Sequence, residues 1–125
     1  MGAALPMTTI FLVDDHVDSR DALATYLRDA GLSIVECDNG RDALARLVGN
    51  QTLPAAIVLD LAMPVMSGQE FLRVMRRYLR LANVPVIVVT GVSEPIDEDA
   101  SIVTRLTKPV EPHALLEQIR QVAHC

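Results

Sequence analysis

Short apolar runs alternate with amphipathic stretches along the chain, and that alternation predicts the elements. Ile10-Phe-Leu-Val13 is a continuous apolar run of the kind buried on both faces of a sheet. Helical spacing follows from Asp18 to Ala30, with Ala22, Leu23, Tyr26, Leu27 and Ala30 on one face and Gly31 as a C-cap. Leu32 to Cys37 reads as a second strand. Asn39 to Val48 reads as a helix with Ala43, Leu44 and Leu47 inward.

The second half repeats the scheme. Ala55 to Leu59 is a third buried run. Ser67-Gly-Gln-Glu70 is a capping-box sequence, opening a helix to about Arg80 with Phe71, Leu72, Met75 and Leu79 on one stripe. Val84 to Val89 is a fourth strand, rich in Val and Ile. Glu94 to Val103 is a weak helix, Arg105 to Thr107 a short fifth strand, and Pro112 starts a final helix. Its apolar positions are Leu115, Leu116, Ile119, Val122 and Ala123.

Continuous apolar strands separated by helices imply a parallel sheet covered on both faces. Right-handed crossovers then give a doubly wound α/β fold, in which ligands bind at the carboxyl ends of the strands. The five strands are expected to form one domain over residues 1–125, with 1–8 as a flexible N-terminal extension.

Composition narrows this picture. The 125 residues are 50% apolar and 22% charged, which reads as soluble and globular. There is no Trp, and only two Tyr and two Phe, so the core must be aliphatic. A net charge of −5 argues against direct nucleic-acid binding. No apolar run approaches the roughly 20 residues needed to cross a membrane. Met1 to Val13 lacks a basic start and runs straight into Asp14-Asp15, so it is not a signal peptide. Cys37 and Cys125 make no disulfide framework, and a reducing cytoplasm is the expected location.

Candidate chemistry collects where the fold rule places it. Asp14 and Asp15 follow the first strand, Asp60 the third, Thr90 the fourth and Lys108 the fifth. Carboxylates crowded to about 4 Å repel by a few kcal/mol per pair at an effective dielectric near 20. A hard divalent cation offsets that, and Mg²⁺ suits a site with few carboxylates. Lys108 can pair with a phosphoryl oxygen and Thr90 can hydrogen-bond another.

The segments Phe11-Leu-Val-Asp14-Asp15-His16, Asp60-Leu-Ala-Met-Pro64-Val-Met-Ser-Gly68, Val88-Val-Thr90-Gly91 and Thr107-Lys108-Pro109 resemble the receiver domain of two-component response regulators. The resemblance implies a flavodoxin-like fold and a signalling domain that is not an enzyme in the usual sense, though it assists its own phosphotransfer and dephosphorylation. It implies that Asp60 accepts a phosphoryl group from a phosphohistidine on a histidine kinase or phosphotransfer protein. It further implies that Asp14, Asp15, Asp60 and the backbone carbonyl of Ala62 hold Mg²⁺, with Asp15 the direct ligand of the acidic pair. Thr90 would be the switch hydroxyl and Lys108 the phosphate partner, with a cis Lys108–Pro109 bond. The downstream partner is a protein surface of unstated identity, and a homodimer is admissible. The chain stops soon after the last helix, which fits a stand-alone regulator or a receiver cut from a larger protein.

Several features set this chain apart within the family pattern. Arg105 stands where receivers usually carry an aromatic switch residue, and it is expected at the surface, paired with Asp97, Glu98 or Asp99. Thr90 and Lys108 are 18 positions apart, shorter than usual by about one helical turn, so the fourth helix is expected to be shortened and the output face atypical. Ala62 and Val92 offer no group to orient a hydrolytic water.

Other residues have plainer readings. His16 reads as a loop residue beside the site, Met63 and Met66 as packing, and Arg73, Arg76, Arg77 and Arg80 as a solvated basic stripe. Three alternatives to a working receiver are weighed. A phosphate-independent pseudo-receiver is disfavoured by the complete set of polar residues. An aspartyl phosphatase would want an acid where Ala62 stands. A flavin-binding protein would want a phosphate-cradling loop after the first strand.

Overall fold

The computed structural model describes residues 8–49, 53–63, 65–91 and 102–123. Among these are five strands: β1 (Thr9–Val13), β2 (Ser33–Cys37), β3 (Ala56–Asp60), β4 (Val86–Thr90) and β5 (Ile102–Thr107). The helices are α1 (Val17–Asp29), α2 (Gly40–Gly49), α3 (Gly68–Met75) and α4 (Pro112–Ala123). All strand pairs are parallel, in the order β2-β1-β3-β4-β5. This is the doubly wound arrangement expected from the apolar pattern, and the flavodoxin-like one that the family resemblance implies.

Strand alternation explains the two cores. Phe11, Val13, Ile57, Leu59, Val86 and Val88 pack on one side with Leu44 and Leu47 of α2 and Phe71, Leu72 and Met75 of α3. Ile10, Leu12, Val58, Ile87 and Val89 pack on the other with Ala24 and Leu27 of α1 and Leu115, Leu116 and Ile119 of α4. Successive side chains point to opposite faces, so only strands that are apolar throughout can serve both layers. Gly31 closes α1 with φ +99°, as its C-capping role requires.

Several boundaries and faces differ from expectation. Ala24, not Ala22, is buried in α1; Ala22 and Tyr26 are exposed, and Arg20 is buried. The α3 capping box forms, with Ser67 Oγ accepting from Glu70 N and Glu70 Oε1 accepting from Ser67 N. The helix ends at Met75 and does not reach Arg80. Tighter turns follow, in which Arg77 N donates to the Val74 carbonyl and Tyr78 N to the Met75 carbonyl. That tightening moves the next inward position from Leu79, which is 92% exposed, to Leu81, which is 1% exposed. Strand β5 begins at Ile102, so the last two positions assigned to the weak helix Glu94 to Val103 are strand. The rest of that helix, including Asp97, Glu98 and Asp99, lies outside the described residues, as does Val92 before it.

Candidate phosphoryl site

The strand ladders continue past the strand ends and fix the loops that carry the acids. Asp14 N donates to the Cys37 carbonyl at 3.1 Å, and Leu61 N donates to the Val89 carbonyl at 3.1 Å. Lys108 N donates to the Thr90 carbonyl at 2.9 Å, which ties the end of β5 to the end of β4. The Lys108–Pro109 peptide is cis. The polar residues read from the sequence therefore meet at the carboxyl edge of the sheet.

Asp60 is the last residue of β3 and is 2% exposed. Its Oδ2 accepts from Lys108 Nζ at 3.1 Å, and its Oδ1 accepts from Ala62 N at 3.2 Å. Burial raises the Asp60 carboxyl above the ordinary carboxylate range, the Lys108 and Ala62 hydrogen bonds pull it back in part, and the Asp14 charge adds a small upward push. Thr90 closes β4 and is 3% exposed, while Ala62 is exposed.

Asp14, Asp15, His16 and Asp60 each offer one ligand atom, all within 4.8 Å of one another. His16 Nδ1 lies 3.3 Å from Asp14 Oδ1 and 3.3 Å from Asp15 Oδ1. Its approach to Asp15 is one of distance only, because Asp15 Oδ1 is shielded from solvent and has no hydrogen-bond partner. A buried carboxylate oxygen without a donor is costly, and it fits the role of a cation ligand. The oxygen-rich donor set suits a hard divalent ion such as Mg²⁺. A cavity of about 620 Å³ adjoins the acids, with Leu12, Val58 and Val89 among its apolar walls and Asp14, Asp60 and Lys108 among its polar ones.

Two contributors were not read from the sequence. Gly68 packs against the exit of β3, and its N–H donates to the Leu61 carbonyl at 2.9 Å. Arg20 is buried, and its Nη1 donates to the Asp14 carbonyl at 2.7 Å. The one sequence signal that bears on Arg20 is Glu36, an acid between the apolar residues Val35 and Cys37 of β2, which calls for a cation nearby. Arg105 is exposed, as expected; its expected acid partners lie outside the described residues.

The carboxyl edge of this doubly wound sheet thus gathers three carboxylates and an ammonium, Asp14, Asp15, Asp60 and Lys108. Residues 10–120 match the family model of the response regulator receiver domain, and the chain belongs to that family. It is a phosphoacceptor signalling domain of two-component systems. It is 33% identical over 94% of its length to the uncharacterized 14.6 kDa protein in the sodA1 3' region of Leptolyngbya boryana, covering 91% of that protein. It is 30% identical to the phosphate regulon transcriptional regulatory protein PhoB of Pseudomonas aeruginosa, over 91% of this chain and 51% of that one. The chain thus spans about half the length of some curated relatives it matches. Among solved structures, the response regulator TrrA of Thermotoga maritima in complex with Mg(2+)-BeF superposes with a TM-score of 0.77, at 25% identity, covering 93% of this chain and 99% of that one. Receiver domains bind Mg²⁺ at their acidic pocket and interact with histidine kinases and downstream effectors. No helix among the described residues is long and apolar enough to cross a membrane.

Proposed function

We propose that Asp60 is the phosphoacceptor, within a single receiver domain over residues 1–125. The observation that carries this is the Asp60 carboxylate, buried at the end of β3, hydrogen-bonded to Lys108 at 3.1 Å and within ligand distance of Asp14 and Asp15. One Asp60 oxygen bonds to phosphorus as the P–N bond of a donor phosphohistidine breaks, and the imidazole nitrogen keeps the bonding pair. Lys108 moves from the carboxylate to a phosphoryl oxygen, and the Thr90 hydroxyl hydrogen-bonds another. Asp14, Asp15, Asp60 and the Ala62 carbonyl would hold Mg²⁺, with Asp15 the direct ligand of the acidic pair. When bound, the ion neutralises charge on the transferring group.

The donor is a histidine kinase or phosphotransfer protein, and the output is a protein surface in the cytoplasm. Ala62 and Val92 supply no group to orient water, so the domain assists phosphotransfer more than it assists hydrolysis. Exposed Arg105 supports an atypical output face.

The test is incubation with Mg²⁺ and acetyl phosphate, read by intact mass. One added phosphoryl group, absent in Asp60→Asn and without Mg²⁺, is expected. No addition to the wild type, or addition that persists in Asp60→Asn, overturns the assignment.

A further inference from the structure

Among the described residues, three polar or charged side chains are buried: Asp60, Thr90 and Arg20. The first two belong to the phosphoryl site. Arg20 lies on α1, well away from the acceptor in sequence, and is 8% exposed. Removing a guanidinium from water is costly unless partners replace its hydration. The partners are specific. Arg20 Nε donates to Glu36 Oε1 at 3.1 Å, and Nη1 pairs with Asp38 Oδ1 at 2.8 Å. The same Nη1 donates to the Asp14 carbonyl at 2.7 Å. Glu36 is itself held, since its Oε2 accepts from Arg28 Nη1 at 3.1 Å. Arg28 Nη2 donates in turn to the Ile34 carbonyl at 2.9 Å.

Resting on the receiver reading, we infer that Arg20 is a positioning residue that aims the acidic pair at the metal site. The Asp14 carbonyl belongs to the peptide that joins Asp14 to Asp15. A peptide unit is planar, so fixing this carbonyl fixes the direction in which Asp15 leaves β1. The other flank is fixed as well, because Asp14 N donates to the Cys37 carbonyl at 3.1 Å. The Asp14–Asp15 link is therefore gripped from β2 on one side and from the Arg20 guanidinium on the other. A plain tie between α1 and β2 would not need this third bond, since Arg28 already reaches Glu36 from the same helix. Arg20 touches none of the reacting atoms, and its effect passes through the Asp14 backbone.

The test compares wild type, Arg20→Met and Arg20→Lys as full chains, each well below its melting point. Mg²⁺ affinity is measured by calorimetric titration of metal-free protein, and phosphorylation by acetyl phosphate is followed against Mg²⁺ concentration. Groups that orient metal ligands typically contribute about 10-fold or more to affinity. Arg20→Met is thus expected to weaken Mg²⁺ by about that factor. The rate at saturating Mg²⁺ should stay near wild type, and Arg20→Lys should fall between the two. A variant that melts lower yet binds Mg²⁺ as wild type does overturns the inference, because that is the outcome for a helix–strand tie. Should Arg20→Met fail to fold, Glu36→Gln decides in its place. Weakened Mg²⁺ binding in that variant supports the positioning role, and unchanged binding overturns it. Wild type that neither binds Mg²⁺ nor takes phosphate overturns the receiver reading and this inference together. Wild type that does both while the variants bind normally overturns this inference alone.

Discussion

Replacing Gly68 with Ala tests how closely α3 must approach the acceptor strand. A Cβ at that position would lie 2.7 Å from Leu61 Cα, and 2.8 Å from both the Asp60 carbonyl oxygen and Leu61 Cδ2. Carbon atoms prefer roughly 3.5–4.0 Å, so the overlap is about 1 Å and falls mostly on backbone. Strand β3 is held by ladders to β1 and β4, so α3 must retreat. Overpacking of this kind costs about 1–3 kcal/mol. Ala offsets at most about 1 kcal/mol of that through helix propensity, and less in a first turn. The net loss of about 1–2 kcal/mol corresponds to a melting point lower by about 3–10 °C in a domain of this size. The same retreat strains the Gly68 N–H bond to Leu61 and disturbs the backbone of the acceptor. A displacement near 1 Å can slow a positioned reaction by up to about 100-fold. Calorimetric melting and the acetyl phosphate rate read the two effects. Gly49→Ala is the control, because its Cβ meets nothing within 4 Å. It should be neutral or slightly stabilising. Gly68→Ala melting at or above wild type would refute the reasoning.

Four further outcomes follow from individual contacts. Ser67→Ala removes the hydroxyl that accepts from Glu70 N at 3.1 Å, and should destabilise by about 1 kcal/mol in denaturant titration. Burial pushes the Cys37 thiol up to about 12, so in a Cys125→Ser background iodoacetamide at pH 8 should label it only after denaturant is added. The Glu111 carboxylate accepts from His113 N and Ala114 N at the start of α4, which lowers its pKa. Its stabilising contribution is complete above the ordinary carboxylate range and is lost as pH falls through the lowered folded value. The difference in melting point between wild type and Glu111→Gln should accordingly be largest near neutrality and shrink toward acid. Leu79→Ser replaces a side chain that is 92% exposed, so equilibrium unfolding should move by no more than about 0.5 kcal/mol.

These tests separate what was legible in the sequence from what was not. Asp14, Asp60, Thr90 and Lys108 were legible because each sits at a strand end, and a parallel sheet gathers its carboxyl ends whatever the loops do. The strands themselves were legible because Phe11, Ile57 and Val88 face one core while Leu12, Val58 and Val89 face the other. A strand serving both must be apolar throughout. Arg20 was not legible. Helical spacing assigns an arginine on α1 to solvent, and partners distant in sequence draw it inward: Glu36 on β2, Asp38 just after β2 and the Asp14 carbonyl. Leu79 departs from its helical period for a related reason: the α-helical period ends at Met75, and the chain tightens there on its way to Pro85 and β4. The acceptor chemistry is thus set by residues at positions the topology assembles. The aim of that chemistry depends on ties between α1, β2 and the end of β1, which no local period encodes. Substitutions at Asp60 should therefore switch the reaction off, whereas substitutions at Arg20 should shift its demand for Mg²⁺, and that difference separates an acceptor from a positioning group.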